Sequence, residues 1–260
     1  MIFGWLKRRR RNALLATPFP DAWRHVLNRN VAFYSLLNPA ERQKLERDLR
    51  ILIDETSFEG CAGLEITDEI KVTIAAQAAI LLLGFPDGSF DRVKTILVYP
   101  SGFRSPNGWT GPGGVVDLDH AGNLGEAWRQ GPVILAWDSV LAGGRNANDG
   151  RNLVLHEFAH RLDFLDGFAD GMPPLAGADH ERRWREVMSE EYERLVAESQ
   201  HGLPLVLDAY GATDHAEFFA VATEAFFETP VALKRRHPKL YEILRDFYRQ
   251  DPAGRVEGRR

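Results

Sequence analysis

Cysteine is almost absent from this 260-residue chain, which has only Cys61. One cysteine cannot close an internal disulfide, and it excludes a metal site built from several thiolates. A reducing compartment fits such usage. Long apolar runs are also missing. The longest, Val72 to Phe85, is about 14 residues and includes Gln77, whereas a membrane-spanning helix needs ~20. Nor is there an excess of basic charge: 32 Lys and Arg face 37 Asp and Glu, a formal charge of −5. No global field therefore draws the chain to nucleic acid or to an anionic membrane. No secretory leader is expected either, because such a leader places basic residues before its apolar stretch. Here Met1 to Leu6 is mostly apolar and the basic run Lys7 to Arg11 follows it. The expectation is a cytoplasmic protein with no nucleic-acid partner and no integral membrane segment. Residues 1–17 read as a disordered basic tail. Contact of Phe3, Trp5 and the basic run with a membrane surface is the other reading.

What is present is ordinary for a globular chain: 44% hydrophobic and 27% charged residues, enough length for a substantial core. No repeat or low-complexity segment interrupts it. Residues 18–252 read as one domain, mainly helical over 18–90, with a core over 91–252 and a frayed end at 253–260. Asn38 followed by Pro39 marks a helix start, and Leu45, Leu49, Leu52 and Ile53 follow at helical spacing. Val72–Phe85 reads as a buried helix ended near Gly84, with a turn at Pro86-Asp87-Gly88. Val93–Tyr99, Val115–Asp119 and Pro132–Trp137 are strand candidates. Ser101–Gly114 and Ala142–Gly150 read as loops. Helices are expected over Asp179–Glu198, Asp214–Glu228 and Pro238–Tyr248. The fold class is α+β.

The chemistry concentrates in His156-Glu157-Phe158-Ala159-His160. Residues four apart on a helix are turned by only ~40° and rise ~6 Å. His156 and His160 thus project from one face and can reach one Zn²⁺. Glu157 sits beside them and can take a proton from an attacking water without being a ligand. Leu153, Val154, Leu155, Phe158, Ala159 and Leu162 surround the polar trio, so the segment must be buried, and a bound cation would offset the cost of burying it.

Sequence alone leaves the third ligand open. Asp166 stands where one zincin pattern has its last histidine. Asp163 occupies the glycine position of that pattern, so the sharp turn is hard to make; a helix running on through Leu162 and Phe164 would point Asp166 away. Glu217 opens an apolar downstream helix, but Asp214 to Glu217 also fits a capping box. Glu224 lies two turns on, on the same face. Tyr210 could donate to an oxyanion or could simply anchor its loop. A metal-bound histidine usually gives its other N–H to a carboxylate, and Asp163 and Glu224 both fit that role. His120, His180, His201, His215 and His237 read as ordinary loop or surface residues.

Several segments together resemble the Mlc titration factor A (MtfA) peptidases: His156–Asp163, Asp208–Ala220, Ile96–Pro100, Gln130–Trp137 and Phe247–Pro252. The resemblance runs from about residue 20 to 252. It implies a zinc-dependent peptidase, with aminopeptidase activity, built on a zincin-like core similar to that of anthrax lethal factor. By position it implies His156, His160 and Glu217 as zinc ligands, Glu157 as base and Tyr210 as an assisting group. It implies a peptide substrate and, as protein partner, a Mlc-like repressor of glucose-uptake genes. Some members carry a histidine after the Gly/Pro-rich loop that approaches the metal. Here the register points to Asp117, with His120 nearby.

Overall fold

Helix starts in this chain are set by short polar residues that accept backbone N–H groups. The computed structural model describes residues 2–86, 90–102, 131–203 and 205–258. Asn38 begins α3 (Pro39–Glu55) with a complete capping box: its side chain accepts from Glu41 N, and Glu41 accepts from Asn38 N. Each such cap contributes about 1 kcal/mol. Thr67 caps α4 (Asp68–Leu81) through its side chain alone, accepting Ile70 N. That cap, with Asp68 and Glu69 in the first turn, starts the helix four residues before the apolar run expected from Val72. Beyond Leu81 the chain turns at Gly84. A Cβ there would sit 1.9 Å from Tyr248 O, so only glycine allows the approach.

Three parallel strands form a small sheet in the order β1 (Ser57–Gly60), β2 (Thr95–Tyr99), β3 (Val133–Ala136). Phe58 pairs with Ile96, and Ile96 with Val133. Parallel neighbours need crossovers, and α4 lies between β1 and β2 in the chain. The expected strand at Pro132–Trp137 is one residue shorter at each end, because Trp137 begins α5 (Trp137–Arg145). That helix takes up the first part of the segment expected to be a loop from Ala142. The strand candidate Val115–Asp119, most of the Ser101–Gly114 loop and the end of the Pro86–Gly88 turn lie outside the described residues.

The second half is helical: α6 (Leu153–Asp163), α7 (Ala178–Gln200), α8 (His215–Glu228), α9 (Pro230–Arg236), α10 (Pro238–Tyr248) and α11 (Pro252–Glu257). The α4, α6 and α8 helices are buried on most faces, and α6 packs against α8, α4 and β3. Phe218, Phe219, Phe226 and Tyr248 are among the largest fully buried side chains, so the core extends directly behind α6 and α8. Helices around a short sheet make the fold α+β. Among the described residues no helix is long and apolar enough to cross a membrane.

Both chain ends are more ordered than the sequence suggests. The segment read as a disordered basic tail forms α1 (Ile2–Leu15), and α2 (Asp21–Asn30) follows it. Its cations find distant acids: Arg11 pairs with Glu55 and Asp91, Lys7 with the same two, and Arg10 with Asp54. Arg50, buried on α3, also donates to Leu14 O and Thr17 O. The C-terminal segment expected to fray holds α11 instead. Asp251 caps it, Ala253 is fully buried, and Arg255 bonds to Glu41 at 2.6 Å.

Candidate metal centre

Asn152 starts the central helix of the site. Its side chain accepts Leu155 N at 3.0 Å, which fixes the first turn of α6. His156, Glu157 and His160 then follow on a helix whose other faces, Leu155, Phe158, Ala159 and Leu162, are buried. Opposite, Asp214 caps α8 by accepting Glu217 N at 2.9 Å. The capping box expected from Asp214 and Glu217 is thus half present. The Glu217 backbone is capped, but its carboxylate turns to the imidazoles.

Three side chains converge. His156 Nε2 lies 3.0 Å from Glu217 Oε2, His160 Nε2 lies 3.5 Å from Glu217 Oε1, and the two Nε2 atoms are 3.2 Å apart. Zinc bonds of ~2.0–2.1 Å in a tetrahedron put ligand atoms ~3.3–3.4 Å apart. The observed spacings bracket that edge length. Glu217 Oε2 is buried and, among the described residues, accepts no hydrogen bond of proper geometry despite its closeness to His156. Such an orphaned acceptor is costly unless something fills its lone pair. His156, His160 and Glu217 therefore fit a metal ion.

The electrostatics agree. Burial opposes ionisation of Glu217, but its contacts with His156 and His160 outweigh burial and hold the carboxyl well below its ordinary range. Burial opposes protonation of His156, yet the charge of Glu224 and the contact with Glu217 drive its pKa well upward. The ionised Glu217 carboxylate thus places negative charge where the ring nitrogens meet, as a bound cation requires.

Glu224 is the carboxylate that orients His156. Its Oε2 lies 3.0 Å from His156 Nδ1, and its Oε1 accepts the Asn152 N–H at 2.6 Å. A proton on Nδ1 leaves the Nε2 lone pair aimed at the centre. Glu224 is turned to the far side of the ring from the ligand cluster, which excludes it as the third ligand. Asp163, the other candidate for this orienting role, has a different task. It is fully buried, its Oδ2 accepts Gly171 N at 3.0 Å, and burial pushes its pKa up to about 7. Asp166 is exposed and accepts Phe168 N. The helix does not run on through Phe164 as expected. It ends at Asp163 in a short 3₁₀ turn, Phe164–Asp166, closed by the left-handed Gly167 (φ 104°).

Glu157 is half-buried beside the cluster. Burial raises its carboxyl pKa, while His156, His160 and Arg161 pull it the other way. Tyr210 sits on a 3₁₀ turn, Ala209–Ala212, whose start is fixed by Asp208 accepting Tyr210 N. Its ring centroid is 6.1 Å from that of His156. A cavity of about 170 Å³ opens between them, lined among others by Arg151, Asn152, Asp208 and Glu224. Asp117 and His120 lie outside the described residues. Of the remaining histidines, His180 and His201 bond to backbone carbonyls on the surface. His237 is buried against Glu191 at 2.6 Å, not a surface residue.

Two residues escape the sequence reading. Asn152 caps α6 and ties together Glu224 and, through Nδ2 at 3.1 Å, Glu228. The cap position before Leu153 was a usable signal. Glu228 carried none, since a glutamate ending a helix is ordinarily solvated.

Comparison with known proteins agrees with this geometry. The model of the glucose-regulated metallo-peptidase M90 family matches residues 5–249. The uncharacterized protein slr2042 of Synechocystis sp. is 39% identical over 254 residues, covering 95% of this chain and 90% of that one. Mlc titration factor A of Yersinia enterocolitica is 31% identical over 246 residues, covering 90% and 87%. The protein of the same name from Yersinia pestis is 31% identical over 241 residues, covering 90% and 86%. With its His/Glu cluster on α6 and α8, the chain belongs to the glucose-regulated metallo-peptidase M90 family.

Proposed function

We propose that the protein is a zinc-dependent aminopeptidase with a zincin-like core, in which His156, His160 and Glu217 hold the metal. The observation that carries this reading is the convergence of the His156, His160 and Glu217 side chains at 3.0–3.5 Å. A bound zinc ion supplies Lewis acidity, which polarises a carbonyl and makes water acidic enough to attack near neutral pH. Glu157 takes the proton of the attacking water and delivers it to the leaving amine. The Tyr210 hydroxyl donates to the developing oxyanion. Glu224 keeps the His156 ring in place. An extended peptide lies along the β3 side of the sheet, adding strand-like hydrogen bonds.

Metal analysis and peptide hydrolysis test this together. Wild type should carry one zinc per chain and cleave peptides with a free N-terminus faster than their N-acetylated forms. Glu157→Gln should keep the metal and lose ~10²–10⁴-fold in rate. His156→Ala and Glu217→Ala should lose the metal. Full zinc retention in Glu217→Ala would remove that ligand, and equal cleavage of acetylated peptides would remove the aminopeptidase assignment.

A second role rests on the name of the Yersinia relatives, Mlc titration factor A. In this reading the chain also grips a Mlc-like transcription repressor in the cytoplasm. The partner contact is separate from turnover, so Glu157→Gln should still retain the repressor on an affinity column. Failure of wild type to retain it at micromolar concentration would end this part of the proposal.

A further inference from the structure

Helix α1 has two faces of different character. At 100° per residue, Lys7, Arg11 and Leu14 share one sector of ~60°. This sector docks on the body: Lys7 and Arg11 pair with Glu55 and Asp91, and Leu14 is half-buried. Trp5, Arg9 and Asn12 fall in the opposite sector, flanked by Leu6 and Arg8, and all five are exposed. Trp5 is 53% and Leu6 49% exposed, two of the four large apolar side chains that stand out among the described residues. Arg8 and Arg9 form no ion pair among the described residues, and the Arg9 guanidinium lies over the Trp5 ring at 5.6 Å. The charge is equally lopsided. The first 15 residues hold five cations and no acid, so the rest of the chain carries −10 of the whole-chain −5.

An exposed Trp–Leu pair beside unpaired arginines suits a surface that is anionic outside and apolar just beneath. Phosphate headgroups over acyl chains have that composition: arginines meet the phosphates, and Trp and Leu enter the boundary. A nucleic-acid backbone would use the arginines but offers Leu6 nothing. We infer that the outward face of α1, Trp5, Leu6, Arg8 and Arg9, is an interfacial docking surface for anionic phospholipid membranes. This inference is independent of the catalytic reading. The acidic remainder of the chain is repelled by the same surface, so the helix meets the lipid edge-on while the body stands off. Only a few side chains take part, so binding is reversible and falls with salt.

Co-sedimentation with vesicles tests it, using the full chain against phosphatidylcholine alone and with about 30% phosphatidylglycerol. Binding should appear only with the anionic lipid. Each surface arginine contributes roughly fivefold to partitioning, so Arg8→Ser with Arg9→Ser should lower it roughly thirtyfold. Trp5→Ser should weaken binding further, and brominated acyl chains should quench part of the wild-type tryptophan emission but none of the emission of this variant. These residues lie on the exposed face, away from the metal centre, so peptide hydrolysis and far-UV circular dichroism should be unchanged and serve as folding controls. No binding of folded wild type to the anionic vesicles overturns the inference. Binding that survives both variants overturns it too, and so does binding that Trp5→Ser leaves intact, because that would be bulk electrostatic attraction without insertion.

Discussion

Replacing Glu228 by Gln should stabilise the protein increasingly as pH rises. Glu228 ends α8 with 4% of its surface exposed. Its Oε1 accepts Asn152 Nδ2 at 3.1 Å, and its Oε2 has no partner among the described residues. Burial is the main cause that pushes its pKa up to about 9 from an ordinary value near 4.5; the Asn152 bond pulls down, and the charges of Asp149 and Glu224 push up. The folded state therefore keeps a proton that the unfolded chain releases. The stabilisation is complete below pH 4.5 and is lost as pH rises towards 9. One proton gives a slope of about 1.36 kcal/mol per pH unit, so the loss between pH 6 and 8 has a ceiling of about 2.7 kcal/mol. It shrinks to ~1 kcal/mol if water reaches the ionised group.

Glutamine mimics the protonated acid. Its carbonyl oxygen keeps the Asn152 bond, and its amide is a donor where the acid carries its proton. The two proteins should match within ~0.5 kcal/mol at about pH 4, and the variant should gain a further ~1–2.7 kcal/mol on wild type between pH 6 and pH 8. Urea unfolding followed by circular dichroism, with a chelator present so that metal linkage cancels, measures the difference directly. A wild-type-minus-variant difference that stays flat from pH 6 to 8 would refute the buried-acid argument. A large loss in the variant at pH 6 would mean that the fold needs the carboxylate itself.

Three other changes test the supports of the site. Glu224→Gln removes the charge behind His156 Nδ1 and should lower zinc affinity ~10–100-fold, read by competition with a metal-binding dye. Asn152→Ala removes the α6 cap and the Glu228 bond together and should cost about 2–3 kcal/mol in denaturant unfolding, more than a surface cap alone. Gly144→Ala lies inside α5, where alanine ordinarily gains about 1 kcal/mol over glycine. Here the new Cβ would stand 2.4 Å from Asn30 O and 2.9 Å from Gln77 Nε2, so thermal denaturation should show a net loss of ~1–3 kcal/mol.

The parts of this molecule that are legible in its sequence are those whose partners lie one helical turn away. His156 and His160 share a face because they are four residues apart, and the Asn38 and Thr67 caps act on N–H groups three residues ahead. The less legible parts depend on which helix lies against which. Glu217 meets His156 only because α8 packs along α6, across more than fifty residues of chain. No periodicity encodes that pairing, so spacing alone left Glu217 undecided between cap and ligand. The structure explains why both readings were reasonable: the cap uses the Glu217 N–H, while the ligand position uses its carboxylate. Asp163 and Glu224 were equally placed by spacing as partners for His156, and only tertiary packing separates them. Asp163 ends α6 and turns into the core towards Gly171, whereas Glu224 rises from α8 directly behind the His156 ring. The N-terminal run follows the same rule. Its charge is obvious from sequence, but its helix is held by acids 44 to 80 residues away, Glu55 and Asp91. Once Lys7 and Arg11 are paired with those acids and Arg10 with Asp54, Arg8 and Arg9 remain beside Trp5 and Leu6. A local basic run thereby divides into a docking face and an outward face, a division that only the tertiary contacts of α1 impose.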